Sequence, residues 1–314
     1  MPELPEVETI VRELRKKIIG LRIVDFWSDK EKPVSQAGGT AKFKKEIKNK
    51  KILSIARRAK FIVIDIEGDK SLFIHQKISG HLMYGRWVPY EVTPVPLGTG
   101  QRPLGGLLRT GWESAIPGPL REERENGYIR YIWMLSNGYQ LAMSDLRRFS
   151  RVILVKDKDV SNLKEIRDLG PEPLEINFKE FRELFKSAGW QKCGRIKPVL
   201  MDPFFIVGIG NIYSDEILWD AGFHPLSRVE NLREKDLQKI FLSTQKILKK
   251  AIAAKGSSVD DYRMPSGKKG RYQEMEKAYQ QTGKKCSKRD GGVIKRLMVA
   301  GRSAHFCSKH QKLL

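Results

Sequence analysis

The second and third residues of MPELPEVETI, Pro2 and Glu3, have types and an order that could do chemistry. A small second residue favours removal of Met1, which would leave proline as a free secondary amine. An α-amino group titrates at about 8, far below a lysine side chain, and the positive end of an adjoining helix lowers it further. A secondary amine that is part-neutral at physiological pH is a nucleophile able to form an iminium with a sugar aldehyde carbon. Glu3 beside it could protonate a sugar oxygen or a leaving group if its own pKa were raised. Pro and Glu also start a helix well, and the first ten residues alone do not choose between the two readings.

The elements that would have to position this pair are legible from periodicity. Residues 5–19 read as a helix, with Val7, Ile10, Val11, Leu14 and Ile18 on one face and Pro5 in its first turn. From about 51 to 155 the period becomes that of strands: KILSIA, FIVIDI, LFIHQ, YIWML, YQLAMS and RVILV are short, rich in branched and aromatic residues, and separated by turn signals. A helix-fronted β-sandwich is expected over 1–155. Within it, residues 88–126 hold six of the chain's 15 prolines and read as a long inserted loop. LGPEPL (169–174) reads as a stiff linker. Helical periods return at Phe178–Phe185 and again at Leu237–Ile252, the latter stopped by Gly256, so 156–256 is expected to be a helical domain. In 257–314, RLMVAGRSAHFC reads as two strands turning at Ala300-Gly301.

Composition narrows the partner. Over 314 residues, 59 Lys and Arg against 37 Asp and Glu give a formal charge of +22, the electrostatic footprint of a polyanion partner. The tail is the most basic part, with 15 Lys and Arg against 5 Asp and Glu over 251–314. There is no apolar run of about 18 residues or more, so no spanning helix and no membrane partner are expected. Glu3, Glu6 and Glu8 stand where a leader would need an apolar core, and three cysteines make no disulfide framework. A cytoplasmic, nucleoid-associated monomer is expected.

Eight motifs, spread in order over nearly the whole chain except 88–126, carry a resemblance: MPELPEVET, RRAKF (57–61), ISGHL (78–82), DLRRF (145–149), LGPEPL, IKPVLMD (196–202), GIGNIYSDE (208–216) and AGRSAHFC (300–307). Together they resemble the formamidopyrimidine-DNA glycosylase family, and Leu4 in PELPE points to its purine branch rather than to its endonuclease VIII relatives. The resemblance implies a multidomain α+β fold: a β-sandwich lobe, a helix–two-turn–helix lobe, and a segment over 257–314 with a lesion loop and a zinc-finger-like hairpin. It implies a bifunctional glycosylase and lyase on double-stranded DNA containing oxidised bases or abasic sites, with no cofactor in the chemistry. Pro2 would attack C1′, Glu3 would assist ring opening and base loss, Lys60 would serve β-elimination, and Arg302 would grip the flanking phosphates and assist δ-elimination. Lys192, Asn211 and Tyr213 would contact DNA, with Glu216 in the same functional turn and Glu6 matching a family acidic residue. GIGNIY has the look of a phosphate-cradling glycine loop, although GxG alone is weak. Glu6 is explained nearly as well by helix solubility.

Extruding a base leaves a gap that side chains must fill. The resemblance gives this work to Arg147, Phe149 and the residue at Ile78, where the family usually has methionine. Tyr128 stands where a DNA-contacting histidine is common, and Leu146 replaces a proline. The wedge changes leave oxidised pyrimidines as an alternative substrate; a non-catalytic damage binder that keeps the fold is a rival class, against which Pro2, Glu3 and Lys60 argue. The closing C-x2-C…C-x2-C pattern of the family is broken here. Cys286 and Cys307 remain, His310 takes the fourth position, and Arg289 stands at the second. Asp290, one residue on, could complete a Cys/Asp/Cys/His zinc tetrahedron; a metal-free hairpin is the alternative. Cys193, outside the finger, reads as a buried or incidental thiol.

Overall fold

The computed structural model describes residues 1–29, 38–89, 111–186 and 194–314. Helix α1 (Leu4–Ile18) forms as its apolar period demands: Val7, Ile10, Val11, Leu14 and Ile18 are all buried, Pro5 occupies the first turn, and Arg15, Lys16 and Lys17 complement the negative end. There follow β1 (Ile23–Ser28), α2 (Thr40–Ile47), β2 (Ile52–Arg58), β3 (Phe61–Ile66), β4 (Lys70–His75), β5 (Gly80–Gly85), β6 (Trp87–Pro89), β7 (Trp112–Ser114), α3 (Pro119–Glu122), β8 (Ile129–Leu135), β9 (Gln140–Asp145) and β10 (Arg151–Lys156). Two antiparallel four-stranded sheets, ordered β1-β8-β9-β5 and β10-β4-β3-β2, make the expected sandwich. Its core joins Ile10 and Leu14 of α1 to Phe26, Trp133 and Met143 of one sheet and Ile64, Leu72 and Val152 of the other. Each such aliphatic side chain contributes about 1.5–3 kcal/mol on burial.

The stretch 88–126 is not loop throughout. Among its described residues, β6 and β7 pair as a hairpin, α3 follows, and a 3₁₀ turn runs over Arg124–Gly127. Trp87 and Leu120 belong to a small core with Met83, Ile129 and Ile132, and Trp112 packs on Trp27 with ring centroids 5.4 Å apart. Apolar anchors at both edges of the proline-rich run give it a floor that proline and glycine counts do not reveal.

Beyond β10 the chain turns helical: α4 (Lys164–Arg167), α5 (Phe178–Lys186), α6 (Ile196–Met201), α7 (Asn211–Ala221) and α8 (Glu234–Ala253). Phe181, Leu200, Phe205, Ile217, Ile240 and Leu248 form a second core, and Leu4 of α1 packs into it. One helix thus serves both lobes: its first residue is in the helical core and the rest of its apolar face is in the sandwich. Pro2 and Glu3 are consequently held at the junction. The chain closes with β11 (Ile294–Val299) and β12 (Arg302–Cys307), paired antiparallel. Ala300 and Gly301 turn between them at φ 47° and 74°, the left-handed pair a two-residue hairpin favours.

Candidate active site and DNA-binding surface

Glu3 caps α1 at one end and feeds a second helix at the other. Its carboxylate accepts from the backbone N–H of Gly210 (2.6 Å), Ile212 (2.9 Å) and Tyr213 (3.4 Å), the unpaired amides at the start of α7. Gly210 must be glycine, since a Cβ there would overlap the Glu3 carboxyl group. The glycine loop of GIGNIY is therefore a cradle, but the anion it holds is the chain's own carboxylate rather than a phosphate. The Glu3 N–H donates to Glu6 Oε2 at 2.8 Å, and Glu6 Oε1 in turn accepts from Tyr213 OH (2.5 Å) and Ser257 N–H (2.8 Å). Burial, and then the charge of Glu3, push the Glu6 carboxyl from its ordinary 4.5 up to about 7. Glu6 is thus no solubility residue: it is buried and fixes the first turn of α1. Tyr213 is buried as well, with its hydroxyl committed to Glu6.

Lys60 lies in the turn joining β2 to β3 and donates to Ile209 O at 3.2 Å, beside the same glycine loop. Burial lowers its pKa, Glu3 and Glu6 oppose that shift, and the charge of Arg302 adds to it. Lys60 is therefore brought within electrical reach of both the amine end and the hairpin. LGPEPL does more than space two lobes. Glu172, buried, accepts from Ala59 N–H (2.7 Å), Arg57 (2.5 Å) and Arg58 (3.2 Å), fixing the turn that carries Lys60. Arg302, exposed at the first position of β12, is held through its neighbours. Lys197 Nζ bonds Asp215 Oδ1 (2.5 Å) and Ser303 O (2.9 Å), while Asp215 Oδ2 accepts from His305 N–H at 2.9 Å. Lys197 and Asp215 are buried, and they bolt the hairpin onto α7. Asn211, the first residue of α7, reaches Ser303 Oγ at 3.4 Å. Glu216 lies within α7 rather than in a turn, and its carboxylate accepts from the backbone N–H of Lys277, Ala278 and Tyr279 at 2.8–3.0 Å. Sequence reasoning passed over Glu172, Lys197 and Asp215. For Glu172 and Lys197 the signal was a charged residue set among apolar neighbours inside a motif; Asp215, between Ser214 and Glu216, carried no such signal.

The proposed wedge residues share one end of the sandwich. Gly80 of β5 pairs with Asp145 of β9, which brings the turns 76–80 and 146–150 together. Buried Asp145 accepts from Ser79 Oγ (2.6 Å) and Ser150 N–H (2.8 Å), and Ser79 Oγ accepts from Arg147 N–H (3.0 Å). Above this latch Ile78 is 38% and Phe149 54% exposed, and Arg147 is exposed too. The latch thus presents two apolar side chains and a guanidinium together at one end of the sandwich. Tyr128 is buried, its hydroxyl accepting from Arg124 Nε at 3.0 Å. Lys192 and Cys193 lie outside the described residues.

At the finger, Cys286, Asp290, Cys307 and His310 present ligand atoms all within 4.8 Å of one another. His310 Nε2 donates to Trp219 O at 2.9 Å, which leaves its Nδ1 lone pair facing Asp290 Oδ2 at 2.8 Å. Two acceptors that close require a cation or a proton between them. Thiol, carboxylate and imidazole at these separations fit a tetrahedral metal site.

Comparison with known proteins bears on all of this. The family model described as the formamidopyrimidine-DNA glycosylase N-terminal domain matches residues 1–152, and that of the family's H2TH domain matches 169–263. The chain belongs to the formamidopyrimidine-DNA glycosylase family. It is accordingly a DNA glycosylase of DNA repair. The formamidopyrimidine-DNA glycosylase of Pelotomaculum thermopropionicum is 34% identical over 313 residues, covering all of both chains. Among solved structures, a Lactococcus lactis Fpg variant bound to Fapy-dG-containing DNA is 32% identical at a TM-score of 0.78, covering 99% of this chain and all of that one. The same organism's Fpg bound to abasic-site DNA is 31% identical at a TM-score of 0.78, covering 99% of each chain. Among the described residues no helix is long and apolar enough to cross a membrane.

Proposed function

We propose that this glycosylase excises oxidised purines from double-stranded DNA and then cuts the strand, with Pro2 as nucleophile and Glu3 as acid. The observation that carries the reading is that Glu3, Lys60 and the hairpin bearing Arg302 meet at the start of α7: the Glu3 carboxylate accepts from three amides there, Lys60 donates to Ile209 O, and Asn211 reaches Ser303 Oγ. Once Met1 is removed, the Pro2 nitrogen attacks C1′ of the damaged nucleotide. The C1′–N bond forms as the glycosidic bond breaks, and the base leaves with a proton. Glu3 protonates the ring oxygen as the sugar opens to a Schiff base. Loss of a C2′ proton, served by Lys60, expels the 3′ phosphate, and a second elimination assisted by Arg302 expels the 5′ phosphate. While Met1 is attached, the Pro2 nitrogen is an amide and no attack occurs.

DNA would lie across the basic junction, with Ile78, Arg147 and Phe149 filling the vacated stack and Asn211 beside the backbone path; Tyr213 and Tyr128, both buried, would act only by supporting that surface from beneath. The catalytic lobe is assigned to 1–155, the helix–two-turn–helix lobe to 156–256, and the lesion loop with the finger to 257–314. One chain carries the whole site, and its DNA partner puts its work at the nucleoid. The finger would hold a structural zinc on Cys286, Asp290, Cys307 and His310; when bound, the ion fixes the hairpin bearing Arg302 and takes no part in the reaction.

Borohydride reduction on a duplex containing one abasic site tests the chemistry. The mature protein should form a covalent adduct, and the Pro2→Gly variant should retain little of it. No adduct from the mature protein would leave a damage binder as the function. Faster excision of thymine glycol than of 8-oxoguanine from matched duplexes would move the substrate to oxidised pyrimidines.

A further inference from the structure

The segment 257–270 runs alongside the amine end of the molecule. Ser257 N–H donates to Glu6, and the Asp260 carboxylate stands 3.5 Å from the amine of Met1, the residue next to Pro2 that is lost from the mature chain. Tyr262 packs into the sandwich core beneath. None of the groups assigned to sugar and phosphate chemistry lies on this segment; Pro2, Glu3, Lys60 and Arg302 come from α1's start, the β2–β3 turn and the hairpin. With the lesion loop assigned above to 257–314, this segment, beside the amine end, is the part of it that would meet the base.

Its outer side is gripped by the descending limb of the inserted stretch. Arg263, 3% exposed, donates through Nη2 to Glu123 and Glu125, both at 2.9 Å, and through Nε to Glu123 at 3.2 Å. Its Nη1 closes the segment on itself at Tyr262 O, 2.9 Å. Lys269 reaches Glu123 at 3.7 Å. Asn126, 1% exposed, is the second clasp. Its amide donates to Pro119 O (2.7 Å) and Gly267 O (3.3 Å), and its carbonyl oxygen accepts from His81 Nε2 at 2.8 Å. His81 lies three residues after Ile78, so one buried amide joins the strand behind the wedge, the insertion and the segment. Gly267 comes so close that a Cβ would stand 2.8 Å from Leu120 N and 2.9 Å from Asn126 Nδ2. Tyr84 N–H adds a bond to Pro265 O at 2.8 Å. A segment of small and charged residues, MPSGKKG, has little apolar matter to hold it unaided.

We propose that Glu123, Glu125 and Asn126 are positioning residues for base excision: the inserted stretch clamps 257–270 as a preset wall for the extruded base. The inference rests on the glycosylase and lyase reading above and names a device within it. Clamping in advance removes the ordering cost the segment would otherwise meet when a base arrives.

The test compares two substrates with the Glu123→Gln/Glu125→Gln double variant, which keeps shape and removes both ion pairs. Excision of 8-oxoguanine under single-turnover conditions should fall about tenfold to a hundredfold, the cost of misplacing a substrate-facing group. Cutting of a preformed abasic site, which has no base to seat, should stay within about twofold. Trypsin should cleave within 263–271 faster in the variant than in the parent. Excision and abasic cutting that fall in parallel, or that both stay unchanged, overturn the proposal. Should the double variant fold poorly, Glu125→Gln alone keeps one partner on Arg263 and should show the same selective loss, smaller in size; an equal loss on both substrates again overturns it. A parent enzyme that neither excises nor cuts would instead sink the underlying functional reading.

Discussion

The two ends of α7 are each built around a charged group, and they are completed in opposite ways. At the N-terminal end, the unpaired amides of Gly210, Ile212 and Tyr213 receive the Glu3 carboxylate, and every group involved comes from this chain. At the C-terminal end, Trp219 O accepts from His310 and Asp220 O accepts from Lys288 Nζ at 3.3 Å, the donors a helix's negative end favours. There the protein stops short. His310 Nδ1 and Asp290 Oδ2 meet as two acceptors, and the neighbouring thiols add two more ligands. The helix thus carries a site completed by this chain's own groups at one end and, at the other, a cluster that a proton or a cation would complete. Between them, Asp215 takes Lys197 and His305, so the hairpin is fastened to the helix midway.

Changing Glu3 should have the largest effect, because it removes the group that distinguishes the finished end. Glu3→Gln keeps the volume and one acceptor oxygen but no acid. Excision of 8-oxoguanine in single-turnover assays is expected to fall by about 10²–10⁴-fold, the usual worth of a positioned general acid. Activity within tenfold of the parent would show that the α7 amides seat a structural carboxylate only.

How much of this contrast the sequence carried depends on the kind of force. Apolar periodicity over Val7–Ile18 and Leu237–Ile252 reads directly as helices, and the alternation in FIVIDI and YQLAMS reads as strands, because burial follows period. Pro2, Glu3 and the four finger residues were legible as chemistry from residue type and order. What could not be read was who holds them. That the glycine loop would hold Glu3, 207 positions away, requires the two lobes to close first. The same applies to Glu172 beneath Lys60 and to Asn126 beneath Gly267. Buried polar pairs across long separations leave no period, which is why the sequence leaves Glu6 open between a family acidic residue and a solubility residue.

The fastening at the helix's middle should come next in size. Lys197→Met leaves Asp215 buried without its strongest partner, and breaking such a pair costs about 3–5 kcal/mol. Urea titration should show that loss. If the hairpin works through Arg302, a folded Lys197→Met protein should also accumulate β-elimination product relative to β,δ-product, an imbalance that general loosening would not produce.

Glu6 gives a smaller effect with a definite sign. Its carboxyl goes from an ordinary 4.5 to about 7 on folding, so between those values the native state binds more proton than the unfolded state. Stability from this group is therefore greatest below about pH 4.5, falls as pH rises, and is fully lost above about pH 7, a change on the order of 3 kcal/mol. Glu6→Gln has no proton to lose. Relative to the parent, it should gain about that much between pH 5 and pH 8 in urea midpoints. A difference flat with pH would mean that Glu6 stays ionised in the fold.

The smallest expected effect probes the unfinished end. Asp290→Asn keeps the hydrogen bond from Gly292 N–H to the residue's own side chain but removes the charge that faces His310 and Cys307. If a zinc ion completes the cluster, metal analysis of the parent should find one per chain, and the variant's zinc affinity should drop by about tenfold to a hundredfold. Chelation of the parent should weaken DNA binding while leaving the Glu3 end intact if, as proposed, the finger reaches the reaction only through the placement of Arg302. Borohydride trapping on an abasic duplex, driven to saturation with DNA, should then survive chelation. Trapping lost under those conditions would mean that the two ends of α7 are not independent, and that the cation holds the amine end as well as the hairpin.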